Sequence, residues 1–241
     1  MEHHPEGSET CQVCGAPTHT GFRCCFCCGL LVRQLGMPLA PLEAVTTFRA
    51  GDALHRQLRG YKDAPVAEVR MAAIHRLAAL MGEWLDARRP GGRLGTWDLV
   101  VAVPSSRRPG TPPVEGLVAA VPALARGLAG GLLLRGPGRL DHLVADRRGF
   151  AVDPKAGERV AGRRVLVVDD TVVTGARAQS AVAALRSAGL RPVGVLAVGR
   201  TMAPDTAIQR AAHRASPAGP GPGILSEPSR SGASRAPRSQ P

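Results

Sequence analysis

The chain has 241 residues, a formal net charge of +12, 44% hydrophobic residues and 3% aromatic residues. That length and apolar content suit one folded domain with appendages. With no apolar run of about 18 residues and no charged start leading into an apolar h-region, the expectation is a cytoplasmic protein without membrane insertion. The positive charge does not by itself point to nucleic acid, because Lys62 and Lys155 are the only lysines and the many Arg, Ala, Gly and Pro residues resemble the usage of a GC-rich genome. Of the +12, +4 falls from Arg200 onward, and the scarcity of aromatics argues against a platform for stacking single strands. A polyanionic small ligand would use the remaining charge equally well.

Residues 1–10 are polar and predict a disordered N-terminus. All six cysteines then fall within 18 residues, as CQVCG at 11–15 and CCFCCG at 24–29. Two Cys-x-x-Cys turns are the pattern of a four-thiolate zinc site, since each turn directs two sulfurs at one tetrahedral ion. Cys11, Cys14, Cys25 and Cys28 are favoured because both knuckles then read Cys-x-x-Cys-Gly; Cys24 and Cys27 are the alternative second pair, and His19 the alternative to one thiolate. A disulfide cluster is disfavoured in a reducing compartment, and a redox role lacks a surrounding thioredoxin-like pattern. The reading is a structural zinc ribbon with its connection over 11–41.

A strand over Glu43–Arg49 and a short helix over Leu54–Tyr61, carrying His55, Arg56 and Arg59, come next. Asp63 and Pro65 open a long helix, Val66–Ala87, whose Met71, Ile74, Leu77, Met81, Trp84 and Leu85 predict a buried face. Arg88–Gly95 is a Pro–Gly break. Trp97–Val103 (WDLVVAV) reads as a buried strand, and the loop behind it carries Ser105, Ser106, Arg107 and Arg108 at what would be the ligand edge of a parallel sheet. Val114–Ala129 predicts a helix with Leu117, Val118, Val121, Leu124 and Leu128 inward and a kink at Pro122. Leu132–Leu134 predicts a third strand. Arg135–Arg159, with Arg139, His142, Asp146, Arg147, Arg148 and Lys155, shows no clear apolar period and reads as a mobile basic cover.

Val165–Gly175 (VLVVDDTVVTG) organises the rest. Four apolar residues without alternation suit a parallel strand covered on both faces. Asp169 and Asp170 then lie at its carboxyl end, and a turn through Thr171–Gly175 leads into a helix over Ala176–Ala188, with Ala178, Ala181, Val182 and Leu185 inward. Adjacent carboxylates accept hydrogen bonds from a vicinal diol, and the turn offers backbone N–H groups to a phosphate one sugar away. Val193–Val198 is the next strand, so the unit is βαβ. From 203 the chain turns to Pro, Gly, Ser and Arg and predicts a disordered tail.

VLVVDDTVVTG resembles the phosphoribosyl pyrophosphate (PRPP) motif of type I phosphoribosyltransferases, with Val173 where a Thr is usual and Arg177 where a small hydroxyl residue is common. The pairing of this motif with the Cys-x-x-Cys ribbon resembles the ComF family, phosphoribosyltransferase-like proteins associated with bacterial DNA-uptake competence; the likeness runs over Cys11–Arg200 and departs in the Pro-rich stretch Arg107–Val114. The resemblance implies an α/β fold, a type I phosphoribosyltransferase-like parallel sheet flanked by helices over 42–202, with an N-terminal four-Cys zinc ribbon and a disordered tail over 203–241. It implies transfer of ribose 5-phosphate from PRPP, with Mg²⁺, to an unidentified acceptor such as a nucleobase. Asp169 and Asp170 would hold the ribose hydroxyls, Thr171, Val172, Val173, Thr174, Gly175 and Arg177 the 5-phosphate, and Ser105, Ser106, Arg107 and Arg108 the pyrophosphate. The alternative class is a non-catalytic PRPP-sensing or scaffold module that contacts DNA or a helicase-like partner of the uptake machinery. A dinucleotide-binding fold is disfavoured because no Gly-x-Gly-x-x-Gly follows any strand.

Overall fold

The computed structural model describes residues 10–18, 23–87, 92–105 and 112–201. His19, Ser106, Arg107, Arg108, most of the N-terminal stretch and the tail from 203 lie outside the described residues.

A four-stranded parallel sheet forms the centre, in the order β1 (Leu42–Phe48), β6 (Arg191–Thr201), β5 (Arg164–Val172) and β2 (Leu99–Ala102). The unbroken apolar runs are explained by what covers the sheet. Successive side chains of a strand point to opposite faces; Val165 and Val167 enter one core with Val101, Val195 and Ala197, whereas Leu166 and Val168 enter a second with Val100, Leu196 and Val198. Helix α7 (Ala176–Ser187) covers the first face through Ala178, Ala181, Val182 and Leu185, all buried as their spacing predicts. Helices α2 (Ala53–Asp63), α3 (Ala67–Ala87), α4 (Pro113–Ala119) and α5 (Pro122–Ala125) lie on the second.

Several expectations shift. The long helix α3 buries Ala73, Leu77, Ala78 and Met81, while Met71 is 49% exposed. Its apolar stripe therefore begins one turn late, where Ala73 lies close to Gly60 of α2. The single kinked helix expected over 114–129 is two helices, because Val121 before Pro122 takes an extended conformation (φ −102°, ψ 106°) as the residue before proline tends to do. Leu133–Arg135 forms a strand (β3), but outside the main sheet, paired antiparallel with β4 (Phe150–Val152). Arg135–Arg159 is accordingly not a structureless cover: it holds β4 and helix α6 (Pro154–Val160), whose N-terminus is capped by the Asp153 carboxylate accepting from the Ala156 N–H at 2.9 Å. Elements this short carry no readable period.

The cysteine segment shares the core of the sheet. Cys11, Cys14 and Cys28 are buried in the same cluster as Leu42, Val165 and Leu185, and the Leu42 N–H donates to the Val13 carbonyl at 2.7 Å, tying the first knuckle to the start of β1.

Candidate functional site

The four-sulfur cluster is assembled by two different local structures. The first knuckle closes through the Gly15 N–H donating to the Cys11 carbonyl at 2.8 Å, with Gly15 in the left-handed region (φ 72°) that its residue type permits. In the second, Cys25 is the N-cap of α1 (Phe26–Leu35) and Cys28 lies in the first turn of that helix. The Gln12 N–H donates to the Arg23 carbonyl at 3.0 Å and joins the two. The sulfurs of Cys11, Cys14, Cys25 and Cys28 all lie within 4.8 Å of one another, and Cys14 and Cys25 are 3.6 Å apart. Tetrahedral zinc with Zn–S of about 2.3 Å needs sulfurs about 3.8 Å apart. A disulfide needs about 2.05 Å, and all six thiols are free. Cys24 and Cys27 stay outside the cluster, which decides between the two alternative pairs.

Four sulfur donors with no oxygen among them suit a soft divalent ion such as zinc. Two cations from the α/β body support that set. Arg200 of β6 donates to the Cys14 carbonyl at 2.9 Å and to its sulfur at 3.3 Å. Arg93 donates to the carbonyls of Cys11 and Gln12 at 2.7 and 2.8 Å. Burial opposes the Arg200 charge, but the neighbouring Cys14, Cys25 and Cys28 outweigh it and raise its pKa.

The second site is a cleft of about 660 Å³ at the carboxyl end of the sheet. Strand β5 outruns β2: their last pair is Ala102 with Val168, whereas β5 continues beside β6 through Asp169, Thr171 and Val172. The two acids therefore stand where one neighbouring strand has ended, and although they lean toward different helices, both line the same cleft. Asp170 turns toward α2, where Tyr61 donates its hydroxyl to Oδ2 and the Lys62 ammonium lies 2.5 Å from the same oxygen. Asp169 turns toward α7 and Arg177, and its Oδ1 accepts the Asp170 N–H at 2.9 Å. Burial, and then the Asp170 charge, push the Asp169 carboxyl up from 3.8 to about 7; Arg177 and Lys62 pull the other way and do not offset them.

The phosphate turn expected over Thr171–Gly175 is narrower in the structure. Thr171 and Val172 remain in β5, paired with Gly199 and Arg200, and Val172 is buried in the core while Thr171 lines the cleft. Val173, Thr174 and Gly175 make the turn proper. Gly175 has φ 88°, and a Cβ there would lie 2.9 Å from Leu42. Thr174 accepts the Ala176 N–H at 3.2 Å and donates its hydroxyl to the His142 carbonyl. Arg177, on the first turn of α7, donates to the Pro104 carbonyl at 2.6 Å and so bridges this turn to the loop behind β2. Its buried Nε has no partner among the described residues.

Residues 140–147 form a strap over the turn. The Asp146 N–H donates to Ser180 Oγ at 3.0 Å, and Gln34 of α1 accepts from the Ala145 N–H at 2.9 Å and donates to the Leu143 carbonyl at 3.2 Å. The strap is thus pinned to both α7 and α1, and its Leu140, Asp141 and His142 form one wall of the cleft. Ser105 lines the same cleft. No family model and no curated protein matches the chain, so the site is read from its own residues.

The site residues to which the sequence assigned no site role are on α2: His55 and Arg59, which it placed on that helix, and Tyr61 and Lys62. His55, Arg59 and Lys62 recur at i, i+4 and i+7, which places them on one helix face, and all three line the cleft. One signal was available, because Lys62 is one of only two lysines in a chain that otherwise uses Arg. Among the described residues the cysteines alone bring three or more ligand atoms together; the acids of the cleft do not form a preassembled cation cage.

Proposed function

We propose that the cleft binds PRPP and that the protein transfers its ribose 5-phosphate group to an acceptor, releasing pyrophosphate. The observation that carries this reading is the sequence of groups along one short path: two adjacent buried acids at the end of a central parallel strand, then at once a Thr–Gly turn and the N-terminus of α7. Asp169 and Asp170 would receive the 2- and 3-hydroxyls of the sugar. The peptide N–H groups of Val173–Gly175 and the first turn of α7, with Arg177 beside them, would hold the 5-phosphate. The resemblance of VLVVDDTVVTG to the type I phosphoribosyltransferase motif supports the same assignment.

The chemistry asks for positioning and charge rather than a nucleophilic side chain. The bond from C1 to the diphosphate breaks with its electron pair on the leaving oxygen, and the acceptor's lone pair forms the new bond to C1. Positive character on the sugar ring is stabilised by the carboxylates, and the basic groups of the cleft receive the departing anion. A Mg²⁺ ion would arrive on the diphosphate and keep most of its oxygen ligands from ligand and water, as that ion commonly does. The cysteine cluster supplies structure through zinc.

Calorimetric titration of Mg²⁺–PRPP into the zinc-loaded protein, beside the Asp169→Asn, Asp170→Asn double variant, tests the reading. Binding by the parent protein that is lost in a variant of unchanged circular dichroism is expected. Equal affinity in both proteins overturns the assignment.

A further inference from the structure

We propose that Lys62 is a specificity-determining residue: its ammonium closes the Asp170 carboxylate in the resting protein and yields it only to a ligand that brings a second anion beside its hydroxyls. The inference rests on the reading of Asp169 and Asp170 as the diol-binding pair.

The geometry at Asp170 is that of an occupied site. Tyr61 and Lys62 are consecutive residues in the last turn of α2, and both reach Oδ2 of Asp170, Lys62 at 2.5 Å. The two donors differ in freedom. Tyr61 is buried at 2% exposure and donates its hydroxyl to the carboxylate, so it holds the carboxylate in place. Lys62 has a side chain 31% exposed on a flexible stem, lines the cleft, and is the charge that can move. A sugar diol arriving at Asp170 must take over acceptor positions that Lys62 now uses. Its hydroxyls replace the hydrogen bond of the ammonium but not its charge, so the exchange leaves a half-buried cation and a buried anion separated, which is unfavourable.

A diphosphate on the carbon next to the diol changes the balance, because the displaced ammonium moves from one anion to another a short distance away. Among the described residues, the other charges around this position do not replace Lys62. Arg59 is directed to Asp63, with Nε 3.7 Å from its carboxylate. Arg177 faces Asp169 from α7 and is engaged with Pro104. His55 is engaged at Nδ1, which accepts the Gly51 N–H at 2.9 Å. Lys62 therefore couples occupancy of the diol site to the presence of an anion on C1. The resting ion pair excludes ribose derivatives that lack the diphosphate.

The test compares two probes, Mg²⁺–PRPP and ribose 5-phosphate, which share the diol and the 5-phosphate and differ at C1. Each is titrated calorimetrically into the zinc-loaded full chain and its Lys62→Met and Lys62→Arg variants, with thermal melts to establish that all three are folded. Lys62→Met is expected to weaken PRPP about tenfold, the scale of one charge-assisted contact. Ribose 5-phosphate should bind it as well as the parent protein or better, so the preference between the two probes collapses. Lys62→Arg should keep the preference. A Lys62→Met protein that loses both probes by the same factor, or keeps the parent preference, overturns the inference while leaving the diol reading intact. A parent protein that binds neither probe removes the diol reading and this inference with it.

Discussion

Asp169→Asn should make the protein more stable, by an amount that depends on pH in a defined way. The carboxyl is buried in the lining of the cleft, and burial together with the Asp170 charge raises it from 3.8 to about 7. A raised acid binds its proton more tightly in the folded state than in the unfolded one. Its contribution to stability is therefore fully present below pH 3.8 and is lost as pH rises through 7. At about 1.4 kcal/mol for each pH unit between those limits, the loss amounts to about 4 kcal/mol at its greatest. Asparagine keeps the oxygen that accepts the Asp170 N–H and carries no charge, so it escapes the loss. Urea unfolding of the parent and the variant from pH 4 to 8.5 gives the difference between them, in which titrating groups distant from Asp169 cancel to first order. That difference should be near zero at the acid end, grow through the interval and level off above pH 7. A difference that does not change with pH, or one that favours the parent protein at pH 8, refutes the argument that Asp169 is a desolvated acid beside a like charge.

Three further outcomes follow from the geometry. Elemental analysis should find one zinc per chain in the parent protein and in Cys24→Ser and Cys27→Ser but none in Cys25→Ser or Cys28→Ser, and because the cluster shares its core with the sheet, zinc loss should lower the unfolding free energy of the whole protein by several kcal/mol. Arg200→Met, which removes the donor to the Cys14 sulfur, should leave zinc bound but weaken its retention against a chelator by about tenfold; unchanged release would mean that the contact does not support the metal. Gly175→Ala forces a side chain into a left-handed conformation 2.9 Å from Leu42 and should cost about 1–3 kcal/mol in urea unfolding, and a variant as stable as the parent would show that the turn relaxes freely.

The motifs whose chemistry lies in neighbouring residues were legible in the chain itself. Two Cys-x-x-Cys-Gly turns specify four sulfurs within reach of one ion, because each turn brings its pair together by local backbone geometry alone. The run VLVVDD specifies a doubly covered strand ending in acids, because loss of alternation reports burial on both faces. The inward residues of α7 followed from helical spacing in the same way. Some short elements were not legible: β4 has three residues and the break before Pro122 resembles a kink, so neither has a period to read. Other features depend on contacts between distant positions. That β5 outruns β2 and leaves Asp169 and Asp170 at an open edge follows from the pairing of strands, which also keeps Thr171 and Val172 out of the turn. That Tyr61 and Lys62 meet Asp170, 109 positions from Tyr61 in the chain, follows from how α2 packs over the second face of the sheet. Local pattern determines which groups the protein has at each strand end and knuckle; only the packing of the sheet decides which of them face one another, because a charge is partnered by what lies within a few ångströms in space.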